Sequence, residues 1–235
     1  MWLFLFGLLA TPPTEFAIAV APGESLRVRR EGLGRPVVLV PGLLGGAFSF
    51  RQLAALLRQG GYETIIIEPL GVGGSSRPPE ADYSLTAQAK RVATVLESLE
   101  VGGVILVAHS LAASIALRVA AAHPSLISGI VSLEGGLSES AATPALRWAV
   151  RFGSILKLPG GREHAWGLLR QQIMESSGDR RWVTARVLEA YVTPVARDLD
   201  GTLKVYRAMV AARDETPTSA VLAAVRCPVV ILLGG

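Results

Sequence analysis

The chain has 235 residues, enough for one domain with a decorated core, and half of them are hydrophobic, enough to bury a parallel sheet. Twenty-three Lys and Arg against 19 Asp and Glu leave a modest +4, scattered without a basic run or basic–aromatic stripe, which argues against a nucleic-acid partner. The single cysteine, Cys227, rules out an intrachain disulfide and a Cys-rich metal site; it abuts Pro228 at the start of an apolar run, where a core role fits better than a reactive thiol.

Taken in order, residues 1–21 read as a signal or N-terminal apolar segment. Met1 to Ala10 is apolar but too short to span a bilayer, and Ala17-Ile18-Ala19 fits a small-residue cleavage site. No Lys or Arg precedes Arg27, so cytoplasmic and exported locations both stay open, and any membrane association runs through this segment. Ser25 to Arg30 reads as a first, exposed strand, and Val37 to Val40 as a buried one. A helix follows from about Phe50 to Gln59, then a strand Thr64 to Ile67. The helix expected over Thr86 to Leu99 carries Ala89, Val92, Ala93, Leu96 and Leu99 on one face. A buried strand Val104 to Ala108, a helix Ala113 to Ala122 and a strand Gly129 to Leu133 complete an alternating β/α run, the pattern of a doubly wound fold. From Leu137 to about Ala220 the pattern becomes amphipathic helices rich in Arg and Trp, and the strand signal returns at Pro228 to Leu233.

The junction Val107-Ala108-His109-Ser110-Leu111-Ala112-Ala113 concentrates the chemistry. A buried strand runs into Ser110, small residues sit two before and two after it, and a helix starts without a spacer. This is what a nucleophile elbow requires: a hydroxyl on a sharp turn, with backbone amides facing the reaction. The competing reading is that Ser110 caps the helix. The segment resembles the G-x-S-x-G elbow of the α/β-hydrolase fold, with alanine at both glycine positions. Two more segments carry the resemblance in the right order. Pro41-Gly42-Leu43-Leu44-Gly45-Gly46 is similar to the family's oxyanion loop, with Pro41 where His is more usual. Read blandly it is a strand–helix connection; a phosphate loop is excluded, because neither G-x-G-x-x-G nor G-K-[ST] is present. Glu68-Pro69-Leu70-Gly71-Val72-Gly73-Gly74-Ser75 resembles the D-x-x-G-x-G-x-S loop, with Glu68 at the acidic position; prolines rather than a helix follow its glycines, which weakens a dinucleotide site.

The resemblance implies an α/β fold: a mostly parallel sheet flanked by helices, with a core over 22–136, a helical cap inserted over 137–220 and a return to the core over 221–235. It implies Ser110 as nucleophile and the amides of Leu43 and Leu111 as the oxyanion hole, acting on an apolar ester or related acyl substrate with no cofactor and no metal. Aspartate-nucleophile relatives, haloalkane dehalogenases and epoxide hydrolases, fit less well because position 110 is serine. The family's triad runs Ser, acid, His, and a strand like Pro228 to Leu233 precedes the acid. Acid and histidine are therefore expected beyond Gly235, with the last strand and helix missing, the sequence truncated and Val229 to Leu233 left as a bare apolar edge. The histidines present do not replace the missing base: His109 is expected to be structural in the elbow, His123 to face solvent and His164 to lie on the cap surface. Glu134, at the end of the strand after the elbow, is the candidate acid within the chain. Trp148, Phe152, Trp166, Trp182 and Tyr191 either line an acyl pocket or simply pack. Two other classes stay open: an inactive module binding a small apolar ligand, and a sheet-edge protein completed by a second chain. Oligomeric state is not legible.

Overall fold

A computed structural model of the chain describes residues 12–43, 46–136, 138, 146–147, 150–151, 153, 160, 167, 170–171, 173–175 and 177–234. Seven strands form one sheet: β1 (Thr14–Ala21), β2 (Glu24–Glu31), β3 (Arg35–Val40), β4 (Tyr62–Ile67), β5 (Val104–His109), β6 (Ile127–Leu133) and β7 (Val229–Leu232). Their order across the sheet is β1-β2-β4-β3-β5-β6-β7. The β1–β2 and β2–β4 pairs are antiparallel, and every pair from β4 to β7 is parallel. This is an α/β-hydrolase-type sheet, as expected.

The helices are α1 (Arg51–Gln59), preceded by a 3-10 turn over Gly46–Phe50, α2 (Leu85–Ser98), α3 (Ala112–Ala122), α4 (Ala185–Arg197), α5 (Leu199–Ala211) and α6 (Thr218–Ala224). Their placement follows from the handedness of parallel crossovers. The step β3→α1→β4 moves one way along the sheet, whereas β4→α2→β5 and β5→α3→β6 move the other way. Right-handed connections in opposite directions put their helices on opposite faces. Alternation along the strands supplies each face with its core. Val37, Leu39, Ile66 and Val107 pack with Phe50 and Ala54 under α1, while Val38, Val40, Ile65, Ile67, Leu106 and Ala108 pack under α2 and α3. Full burial of each such side chain contributes about 1.5–3 kcal/mol.

Two boundaries differ from the sequence reading. The sheet begins at Thr14 rather than 22: Ala17-Ile18-Ala19, which matched a cleavage site, lies inside β1 and pairs with Arg27, Leu26 and Ser25. Ser25 to Arg30 is accordingly the second strand, paired on both sides, with Leu26 and Val28 fully buried. The pairing is a local hairpin: Pro22-Gly23 turns the chain so that β1 folds back along β2, and Phe16, Ile18 and Val20 alternate onto the core face. At the opposite edge Val229 to Leu233 are 39–72% exposed. Among the described residues no helix is long and apolar enough to cross a membrane.

Candidate active site

The α1 and α3 helices leave β3 and β5 toward opposite faces, so a crevice opens at the carboxyl ends of these two neighbouring strands. Parallel α/β sheets place ligands at such switch points. Here Gly42 and Leu43 follow β3, and Ser110 and Leu111 follow β5.

Ser110 adopts φ of +54°, a left-handed backbone that a non-glycine residue occupies at some cost. Its N–H donates to the Leu133 carbonyl of β6 at 2.9 Å, and its carbonyl accepts the Ala113 N–H at 3.0 Å to start α3. Strand pairing on one side and helix initiation on the other thus impose the sharp turn. The α3 N-cap is Leu111, and no side-chain hydrogen bond caps the helix. The capping role considered for Ser110 is therefore not the one its hydroxyl plays. Small neighbours make room for the turn: Ala108 and Ala112 are buried, and Gly135 lies so close that an added Cβ would meet the Ser110 carbonyl at 2.4 Å. A Cβ on Gly42 would stand 3.3 Å from that of Ser110, which places the loop after β3 directly against the elbow. Neither the Leu43 nor the Leu111 N–H donates to an acceptor among the described residues. Both residues line one small apolar cavity, whose wall also includes Ile115 and Met209.

Glu68, the acidic residue of the third motif, is 5% exposed and accepts the N–H groups of Ala47 and Gly74, each at 2.6 Å. Any side chain at Gly73, where φ is +55°, would overlap this carboxylate. Above the sheet's carboxyl end, α5 lays Thr202, Leu203, Val205, Tyr206 and Met209 onto the core, an i, i+3, i+4, i+7 face. The Tyr206 hydroxyl donates to the Leu43 carbonyl at 3.2 Å, and burial pushes its pKa up to about 12, keeping it a donor. Tyr191 on α4 meets Phe48 edge-on, with ring centroids 5.6 Å apart; Trp182 lies 6.5 Å from Tyr191, and Arg51 sits over the Phe48 ring. Of the aromatic residues considered for an acyl pocket, these two pack together; Trp148, Phe152 and Trp166 lie outside the described residues.

No histidine is hydrogen-bonded to Ser110 among the described residues. The Nδ1 atom of His109 is buried without a partner beside Gly42, and burial lowers its pKa, opposed by the charge of Glu134. His123 is about one-third exposed, with Nδ1 3.4 Å from Glu97, and His164 falls outside the described residues. Glu134 has φ of +49°, donates its N–H to the Leu232 carbonyl at 2.9 Å and accepts the Gly234 N–H on its carboxylate. It faces the β7 end of the sheet and, among the described residues, engages no histidine by hydrogen bond. Among the described residues no cluster of three His, Cys, Asp or Glu stands together as a metal site.

A model of the alpha/beta hydrolase fold family matches residues 35–155, just over half of the 235. The chain belongs to the alpha/beta hydrolase fold family. It is 28% identical over 160 residues to RutD of Klebsiella pneumoniae strain 342, provisionally named a carbamate hydrolase, covering 67% of this chain and 52% of that one. It is 30% identical over 143 residues to a cis-3-alkyl-4-alkyloxetan-2-one decarboxylase of Shewanella oneidensis, covering 57% and 45%. A bifunctional epoxide hydrolase 2 of Rattus norvegicus matches at 28% over 117 residues, 49% of this chain and 21% of its own. The chain thus spans about half or less of the length of these relatives. Among solved structures, Cfl2 of Burkholderia cenocepacia superposes with a TM-score of 0.73 at 20% identity, covering 93% and 79% of the two chains. A haloalkane dehalogenase variant, DbeA-M1 of Bradyrhizobium elkanii, gives 0.64 at 19% over 95% and 80%. At such identities these two neighbours speak for the fold.

Sequence reasoning singled out the turn at Ser110 and the loops after β3 and β4, and the structure brings the turn and the loop after β3 together. It did not assign a task to Glu68, although its slot in the third motif was visible, and it missed Tyr206 and Asp214, whose carboxylate accepts the N–H groups of Leu85 and Thr86 at the start of α2. Nothing local marks those two: their partners lie 163 and about 129 residues away.

Proposed function

We propose that this chain carries the nucleophile and oxyanion donors of a serine hydrolase that cleaves a carboxylic ester or related acyl bond. The observation that carries the reading is Ser110 itself: a left-handed serine at the strand-to-helix turn whose hydroxyl caps nothing. The unpaired amides of Leu43 and Leu111 support it, since both border the same cavity beside that turn. In the proposed reaction the Ser110 Oγ attacks the carbonyl carbon while its proton passes to a base. The oxyanion that forms is held by the two N–H groups, donors of a kind whose individual loss costs about 3–4 kcal/mol of transition-state stabilisation. Collapse expels the alcohol, which takes the proton, and water then hydrolyses the acyl-enzyme to the free acid.

A serine is a weak nucleophile until a base takes its proton. The reading assigns the histidine, and the acid that orients it, to residues following Gly235, with Glu134 as the alternative acid. The helices between β6 and β7 act in it as a cap over an apolar acyl group. The relatives named for carbamate and epoxide hydrolysis support hydrolysis in general; serine at position 110 favours the acyl-enzyme route. His109, whose Nδ1 is buried without a partner, and the small apolar cavity favour one other reading, an inactive module that holds a small apolar ligand. The test is hydrolysis of p-nitrophenyl butyrate and labelling by a fluorophosphonate, using the full-length gene product and its Ser110→Ala variant. Loss of labelling and a fall of about a million-fold in kcat are expected. Turnover retained in Ser110→Ala would remove Ser110 as nucleophile, and a folded wild type that neither labels nor turns over would favour the binding module.

A further inference from the structure

Two hydrogen bonds from distant parts of the chain hold the segment that follows β3. On one side the Tyr206 hydroxyl of α5 donates to the carbonyl of Leu43, the residue whose own N–H is left unpaired. On the other, the Glu68 carboxylate accepts the Ala47 N–H and, through the same carboxyl group, the Gly74 N–H. Both holders are themselves fixed. Tyr206 is 5% exposed, between Val205 and Met209 at 1% and 2%. A Cβ at Gly71 would meet the Val205 side chain at 2.5 Å, so α5 packs directly on the bare backbone there. Glu68 is enclosed by Gly46 and Gly73, each too near for a side chain. The Arg77 guanidinium donates to the Gly73 carbonyl at 2.6 Å, tying down the turn that wraps the carboxylate.

An amide contributes to catalysis only if it already points where charge will develop. The Leu43 carbonyl lies in the peptide unit next to the one that carries the Leu43 N–H, joined to it at the Leu43 Cα, so anchoring that carbonyl limits how far the N–H can swing. We propose that Tyr206 and Glu68 are positioning residues that hold the oxyanion loop at Leu43 and at Ala47, so that docking of α5 on the core sets the aim of the Leu43 N–H. This rests on the serine-hydrolase reading above.

The experiment uses the full-length protein and the variants Tyr206→Phe, which removes one hydroxyl from a buried ring, and Glu68→Gln. Two readouts are taken: ¹⁵N order parameters of the Leu43 and Ala47 amides, and kcat and KM for p-nitrophenyl butyrate. For Tyr206→Phe the Leu43 order parameter should fall from the rigid value near 0.85 toward about 0.6, and kcat should drop about ten- to a hundred-fold with KM within twofold. For Glu68→Gln the larger change should be at Ala47. A merely structural tyrosine would lower the melting temperature while leaving kcat and the order parameter unchanged, and that result overturns the proposal. Should Glu68→Gln fail to fold, Tyr206→Phe decides. If Ser110→Ala hydrolyses as fast as wild type, the serine-hydrolase reading falls separately; the Leu43 order parameter in Tyr206→Phe still supports the tether if it drops and rejects it if it does not.

Discussion

Gly135→Ala is the substitution that most directly tests how the elbow is built. An added methyl would lie 2.4 Å from the Ser110 carbonyl oxygen, 2.7 Å from the Ala113 Cβ and 3.0 Å from the Ser132 hydroxyl. Comfortable carbon contacts need about 3.5–4.0 Å, so the methyl is roughly 1 Å too close to backbone and to a side chain with no rotamer to yield. The Ser110 carbonyl starts α3 by accepting the Ala113 N–H, so its retreat strains the first helical bond as well. Overpacking of this kind costs about 1–3 kcal/mol, and with a backbone atom as the obstacle the upper half of that range is expected. At about 2–4 °C per kcal/mol for a chain of this size, the melting temperature should fall by about 5–10 °C. If Ser110 is the nucleophile, as proposed, displacing it by even about 1 Å should lower kcat for an acyl ester near a hundred-fold. Gly136→Ala is the internal control, since nothing lies within 4 Å of its added methyl; it should stay within about 0.5 kcal/mol of wild type. Urea denaturation of both variants in the full-length protein is the assay. Equal stability of the two would refute the claim that Gly135 is confined by the elbow.

Asp214 accepts the N–H groups of Leu85 and Thr86 at the start of α2, at 3.2 and 2.7 Å, and stands 3.6 Å from the Arg118 guanidinium, with both side chains 3% exposed. Asp214→Asn leaves the buried Arg118 charge without its carboxylate, so a loss of about 3 kcal/mol is expected by urea denaturation; a change under about 1 kcal/mol would argue against a structural latch between α2, α3 and the segment after α5. His109, whose pKa burial holds below the ordinary 6.5, binds its proton more readily in the unfolded chain. Its contribution is therefore retained above about pH 6.5 and lost as pH falls below that value, by at most about 1.4 kcal/mol per pH unit. Denaturation of wild type and His109→Asn between pH 7.5 and 5 should show the steeper decline in wild type; parallel curves would sink the assignment.

What could be read from the sequence was whatever depends on near neighbours. Short apolar runs such as Val37–Val40 and Thr64–Ile67 announce buried strands, and the spacing of Ala89, Val92, Ala93 and Leu96 announces the face of α2, because side-chain periodicity is a local property of the backbone. The elbow was legible for the same reason: Ala108, Ser110 and Ala112 are adjacent in sequence, and the size limit they obey is set by one turn. β1 was missed although its signals are local too: Phe16, Ile18 and Val20 alternate just ahead of the Pro22-Gly23 turn, and the apolar start of the chain with Ala17-Ile18-Ala19 read instead as a leader. Nor could the sequence show that the Glu68 carboxylate would close on Ala47, that Tyr206 would reach the carbonyl of Leu43, or that Glu134 would turn toward Gly234. Those contacts join residues 21, 163 and 100 positions apart, and only the order of strands in the sheet, with the helices it sends to either face, decides which of them meet.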